Sequence, residues 1–253
     1  MGAGRMGRLL AKGLADLGVD VAVNDLNSAR GRDVARRLNV GFKKLPSSID
    51  EKIVLVSVPM NKTVDVCKDV AGRMKKGSLL VEISSVKTGV TDKVASVLPE
   101  GVEYISVHPL FGPAVRSLIG KNFVLVPMRS ERWLGEFKRI LSSLSARVVV
   151  ADTEQHDRMM AVVQVLHHFA YLCLAVCLSK SELRGEFTTE SFAETMRLVR
   201  RLGRNLDVIL SIQRDNPLAP IVRERFSQVA ESLAKSDFEE LSKVAREAFR
   251  KLA

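Results

Sequence analysis

Cysteine, aromatic side chains and acidic groups are all scarce in this chain of 253 residues. The three cysteines, Cys67, Cys173 and Cys177, form no CxxC pair, which excludes a disulfide framework and a cysteine-based metal site. A reducing, cytoplasmic setting is the corresponding expectation, with no resident metal. Aromatic residues make up 5% of the chain, with a single Trp, so there is no aromatic–basic platform for single-stranded nucleic acid. Acids are outnumbered 29 to 39 by Lys and Arg, for a formal charge of +10. The basic residues are interleaved with acids along the helical stretches, as in Glu239-Glu240-Leu241-Ser242-Lys243. This pattern suits a solvated surface that gathers small anions better than a nucleic-acid footprint, and no nucleic-acid partner is expected. No secretory leader is expected either, because the chain opens directly on a glycine loop.

Apolar residues, at 46%, are sufficient for a sizeable core. The run 159–178 has the length of a membrane span, but Gln164, His167, His168 and Tyr171 interrupt it. Polar groups at that depth are costly in lipid, so the expectation is a buried core helix and no membrane association. Cys173 and Cys177, four apart within it, are expected on one buried helix face.

Over the first 150 residues, short Val/Ile/Leu runs alternate with amphipathic stretches, the rhythm of βαβ units around a parallel sheet. Strands are expected at 20–24, 53–58, 78–83, 104–107, 123–127 and 147–151, with helices at 6–17, 28–38, 61–74, 88–98 and 130–144. After Asp152 strand-like runs stop and helical periodicity continues to the C-terminus, broken near Gly185, Pro217 and Pro220. The expected class is therefore α/β. A doubly wound, Rossmann-type domain over 1–151 precedes an all-helical domain over 152–253.

Gly2-Ala3-Gly4-Arg5-Met6-Gly7 has the GxGxxG spacing of a dinucleotide loop. The first Gly makes the tight turn, the second admits the diphosphate, and the third lets helix and strand pack closely. Arg5 and Met6 open the helix whose free N–H groups face the phosphates. Asp25 follows Gly7 by eighteen residues, at the end of the next expected strand, where a ribose-binding acid belongs. It favours NAD over NADP, and Arg30 nearby softens that preference. The run 53–58 ends in Ser57-Val58-Pro59, placing Ser57 and Pro59 in the crevice beside the cofactor. A loop of this kind normally follows a strand. Here only Met1 precedes it, so the first strand is expected to be missing from the sheet.

All four histidines fall in three short segments. His108 follows an expected strand end and precedes the turn Pro109-Leu110-Phe111-Gly112-Pro113, a placement suited to a general base in a cleft. Ser84-Ser85-Val86-Lys87 leaves the neighbouring strand at the same edge, so a hydroxyl can orient the base or its substrate.

These segments together resemble the prephenate dehydrogenase family of tyrosine biosynthesis, which includes arogenate-using enzymes. The resemblance rests on the glycine loop, Ser57-Val58-Pro59, Glu82-Ile83-Ser84-Ser85-Val86-Lys87 and His108-Pro109-Leu110-Phe111-Gly112-Pro113. In the helical part it rests on His156-Asp157-Arg158-Met159-Met160-Ala161, on Gln164-Val165-Leu166-His167-His168-Phe169, and on Val199-Arg200-Arg201-Leu202-Gly203-Arg204-Asn205. It runs from residue 1 to about 217.

The resemblance implies NAD-dependent oxidative decarboxylation of prephenate, with His108 as general base and Ser85 orienting the ring hydroxyl or the imidazole. Arg200, His168 and Gln164 would line the pocket for a dicarboxylate substrate, and the helical domain would form a homodimer. His156, beside Asp157, would cap a helix or orient a neighbour. Other readings are arogenate as substrate, a β-hydroxyacid-type dehydrogenase relying on Lys180, and a non-enzymatic dinucleotide-sensing regulator.

Overall fold

The computed structural model describes residues 1–182 and 185–252. Positions 183, 184 and 253 of the expected helical stretch lie outside them. The chain forms two compact units, Met1–Asp157 and Arg158–Ala253.

The first unit is built on a five-stranded sheet. Its strands, in spatial order, are β3 (Ile53–Val56), β4 (Leu79–Glu82), β5 (Glu103–Pro109), β6 (Asn122–Arg129) and β7 (Arg147–Val150). β4 is buried at every position, which is why its sequence is continuously apolar until Glu82 instead of alternating. Helices cover both faces. Val54, Val56, Leu80 and Tyr104 pack with Cys67 and Val70 of α3 (Met60–Ala71) and Val94 of α4 (Thr91–Ser96). On the other face Leu79, Val81, Ile105 and Leu125 pack with Leu10 of α1 (Arg5–Asp16) and Trp133, Phe137 and Leu141 of α5 (Trp133–Ser143). The result is the doubly wound layering expected from the sequence.

The sheet is mixed, not wholly parallel, because β5 and β6 run antiparallel. Residues 110–121 between them contain no helix, so the chain turns back instead of crossing over.

A second, two-stranded parallel sheet pairs β1 (Ala22–Val23) with β2 (Gly41–Phe42), and α2 (Ser28–Leu38) joins them. β2 was not among the expected strands; two residues are too short a run to show periodicity. The expected gap lies between β1 and β3, and Met1 and Gly2 bridge it. The Met1 amine donates to the Leu55 carbonyl (2.7 Å), the Met1 carbonyl accepts from Ser57 N (2.8 Å), and Gly2 N donates to the Asn24 carbonyl (2.8 Å). Below this bridge a cavity of about 80 Å³ is lined by Met1, Ala22, Val23, Ile53, Val54 and Leu55, among others.

The second unit is helical, but the helix that leads into it departs from expectation. α6 (Thr153–Met160), a π-helical segment (Ala161–Leu166) and α7 (His167–Ser179) run as one 27-residue helix. Among the described residues this is one helix long and apolar enough to cross a membrane. It is not the buried core helix anticipated: α7 has no buried residue, Met159, Val162, Val163 and Val176 are exposed, Cys173 is half-buried and Cys177 is exposed. Among the described residues, the other helices leave these positions uncovered. α8 (Glu190–Gly203), α9 (Leu206–Asp215), α10 (Ala219–Lys235) and α11 (Phe238–Leu252) complete the unit. Gln213 donates to the Val165 carbonyl inside the wide π turn (2.8 Å), and Phe169 meets Phe226 edge-on at 5.5 Å.

Candidate active site

The glycine loop is shaped by close approaches that no side chain would permit. Gly2 has φ +88°, and a Cβ there would lie 2.1 Å from the Ser57 carbonyl oxygen. A Cβ on Gly7 would lie 2.0 Å from the Gly2 carbonyl oxygen. Gly4, at the N-cap of α1, faces open space and supplies no side-chain cap, so the helix start is left open to an anion. This cradle fits the diphosphate of a dinucleotide. Arg5 is exposed and Met6 half-buried in the first turn of α1, and Ser57 and Pro59 flank the loop where β3 passes into α3.

Asp25 is tied to the loop rather than projecting freely. Its side chain is 2% exposed. It accepts hydrogen bonds from Ala3 N (2.8 Å), Asn27 N (2.8 Å), and Arg30 Nε (3.1 Å) and Nη2 (2.7 Å). Burial works to raise this carboxyl, but Arg30 and the two amides outweigh it and hold the group below the usual carboxylate range. Arg30 thus sits directly on the acid that the sequence assigns to the ribose.

At the ends of β4 and β5 lies a dense polar cluster. His108, on β5, is 3% exposed, and its Nδ1 lies 2.8 Å from His156 Nε2. His156 Nδ1 lies 2.7 Å from Asp157 Oδ1. Asp157 also accepts from Lys87 N (3.0 Å) and Thr88 N (2.8 Å), which pins the turn after β4. Lys87 is wholly buried, and its ammonium donates to the carbonyls of Ser84 (2.8 Å) and Val107 (2.9 Å), 3.5 Å from Glu82 Oε1. Glu82, equally buried, accepts from Ser84 N (2.6 Å) and from the Ser106 and Tyr104 hydroxyls.

Burial pushes His108 well below the ordinary histidine range, and the Lys87 ammonium and His156 add to the shift. His156 is also lowered, chiefly by burial, with Asp157 opposing. His108 is therefore neutral at physiological pH, the state a general base requires. Burial disfavours the charge on Glu82, but Lys87 and the hydrogen bonds to its carboxylate keep the group ionised.

Ser85 follows β4 and is half-buried. In the second unit, Gln164 lies in the π segment and His168 one turn on in α7, with His168 Nδ1 buried and lacking a hydrogen-bond partner among the described residues. Burial lowers His168 to about 4. Arg200 is exposed in the last turn of α8, beside Arg201. Lys180, the residue a β-hydroxyacid-type reading would need, is exposed at the C-cap of α7.

The first unit thus assembles two groups: the glycine loop with Asp25 and Ser57, and the His108 cluster. Glu82 and Lys87 were not singled out for a role, and His156 was assigned only a loose one. The one local signal for them was an acid and a base five residues apart across a strand end.

Comparison with known proteins bears on both units. Residues 10–150 match the family profile described as prephenate dehydrogenase, nucleotide-binding domain, and residues 152–247 match prephenate dehydrogenase, dimerization domain. A protein of Methanocaldococcus jannaschii named as a probable arogenate/prephenate dehydrogenase is 29% identical over 98% of this chain. The chain spans 58% of that relative's length. A 4-amino-4-deoxyprephenate dehydrogenase of Streptomyces pristinaespiralis is 25% identical, over 88% of this chain and 78% of its own length. Among solved structures, prephenate dehydrogenase of Aquifex aeolicus in complex with hydroxyphenyl propionate and NAD+ shares the fold. Its TM-score is 0.81 at 18% identity, covering 99% of this chain and 93% of that one.

Proposed function

Because the chain belongs to the prephenate dehydrogenase family, we propose that it oxidatively decarboxylates prephenate to 4-hydroxyphenylpyruvate in tyrosine biosynthesis, using NAD. The observation that carries this reading is His108, a buried, neutral imidazole at the end of β5 whose Nδ1 is held by His156. Gly2, Gly4, Arg5, Met6 and Gly7, with Ser57 and Pro59 at the flank, would hold the dinucleotide, which would supply the acceptor for the hydride leaving the ring carbon that bears the hydroxyl. His108 takes the proton of the ring hydroxyl while the carboxylate at the opposite ring carbon departs as carbon dioxide. Ser85 orients the hydroxyl. Arg200 holds a substrate carboxylate through its planar fork, and His168 and Gln164 line the pocket beside it. The net positive charge draws the dianionic substrate in.

Asp25 favours NAD, and Arg30, paired with it at 2.7 Å, softens that preference. Arogenate differs from prephenate only in carrying an amine for the side-chain keto group, so one assay compares the two substrates. The helical unit pairs with a second copy of the chain, a reading supported by its match to a dimerization domain and by its exposed apolar helix.

The test is reduction of NAD and NADP, followed at 340 nm, with prephenate and with arogenate. The expected result is turnover with prephenate and NAD, falling by about 10²–10⁴-fold in His108→Ala. No turnover of either substrate with either cofactor, or an unimpaired His108→Ala variant, overturns the proposal.

A further inference from the structure

We propose that His156 and Asp157 are positioning residues that fix the tautomer of His108, placing its proton on Nδ1 and its basic lone pair on Nε2. The inference rests on the reading of His108 as the general base and extends it to the atom that does the work.

The argument follows the protons along the chain of contacts. An ionised carboxylate only accepts hydrogen bonds, so at 2.7 Å from Asp157 Oδ1 the His156 Nδ1 must carry a hydrogen. In a neutral imidazole the other nitrogen is then an acceptor, so His156 Nε2 presents a lone pair to His108 Nδ1 at 2.8 Å. His108 must donate there, which puts its hydrogen on Nδ1. Its Nε2 is left as the basic atom.

The anchor of this relay is itself immobilised. Asp157 accepts two backbone amides, Lys87 N and Thr88 N, and so cannot rotate without leaving both unpaired. The charged groups around the relay, the Lys87 ammonium and the Glu82 carboxylate, are buried and held by their own partners. The Lys87 ammonium disfavours a second proton on either ring. Were His156 doubly protonated, its Nε2 would donate to His108, move the His108 proton to Nε2 and abolish the base.

The orientation can be read directly, without substrate, from ¹⁵N shifts of histidine-labelled protein, with the His108 ring assigned by its loss in His108→Gln. The expected result is an unprotonated Nε2 and protonated Nδ1 on His108 in the native chain, and loss of that preference in His156→Leu. His156→Gln retains an amide oxygen that can accept from His108 Nδ1 and should keep the tautomer. In turnover, His156→Leu is expected to lower kcat by about 10²-fold with KM changed by less than about threefold, and His156→Gln to recover to within about tenfold of the native rate. A native His108 protonated on Nε2 overturns the inference, as does a His156→Leu variant with unaltered kcat. If the native chain turns over neither substrate, the base assignment fails, while the shifts still decide the tautomer by themselves.

Discussion

Lys87 and Glu82 pair where neither side chain has any exposure to water; burial lowers the Lys87 ammonium, and the Glu82 carboxylate opposes that shift. Such a pair is weak evidence of net stability, because desolvation cancels much of the attraction. Removing one partner is another matter. Lys87→Met leaves the Glu82 carboxylate buried without its counter-charge, and should cost about 3–5 kcal/mol. Adding Glu82→Gln to it should recover much of that loss. Urea unfolding of the single and double variants checks this, and equal destabilisation by both would show that the pairing is not the source. At this scale the sequence was legible only where chemistry is local. The glycine loop, Asp25 and His108 announce themselves by spacing or by position at a strand end. The bonds from Asp157 to Lys87 and Thr88 span 70 and 69 residues, and no periodicity encodes them. Asp25 shows the converse: its position was legible, but its close engagement by Arg30 and two amides depends on side-chain geometry.

Among the elements, the helix that includes α6, the π segment and α7 was placed correctly and its environment was not. Its apolar residues suggested a core, yet a hydrophobic sequence specifies only that a face be covered, not which chain covers it. Val162 and Val163 remain 59% and 58% exposed. Coverage by a second copy predicts that Val163→Asp shifts the chain from dimer to monomer in sedimentation velocity at micromolar concentration, while the helix content seen by circular dichroism is retained. A native chain that sediments as a monomer contradicts the dimer. The strands were legible where both faces are buried, as in β4, and blurred where the ladder is only two residues long, as in β1 and β2. The antiparallel turn of β6 was not legible, because an apolar run carries no direction.

For the molecule as a whole, alternation of strand and helix followed by helix alone was sufficient to give the class of fold. The two family profiles meet at residues 150 and 152, near the change of pattern, whereas the compact units divide after Asp157. The six intervening positions include His156 and Asp157, whose side chains are bonded to His108 and to the turn after β4.

The bridge at Met1 has a consequence for dynamics. β1 and β2 reach the main sheet's backbone through Met1 and Gly2, so this corner has few bonds to break before it opens as a unit. Amides of Gly2, Gly41, Lys43 and Ser57 should therefore exchange with deuterium together, and well before those of Ile105 and Leu125 at the centre of the main sheet. A dinucleotide seated on the same loop binds only the closed form. At a concentration of 100 Kd it should slow exchange at those four amides by about a hundredfold and leave the central strands unchanged. The cofactor would then act as a clasp, its affinity set partly by how often this corner swings open in its absence.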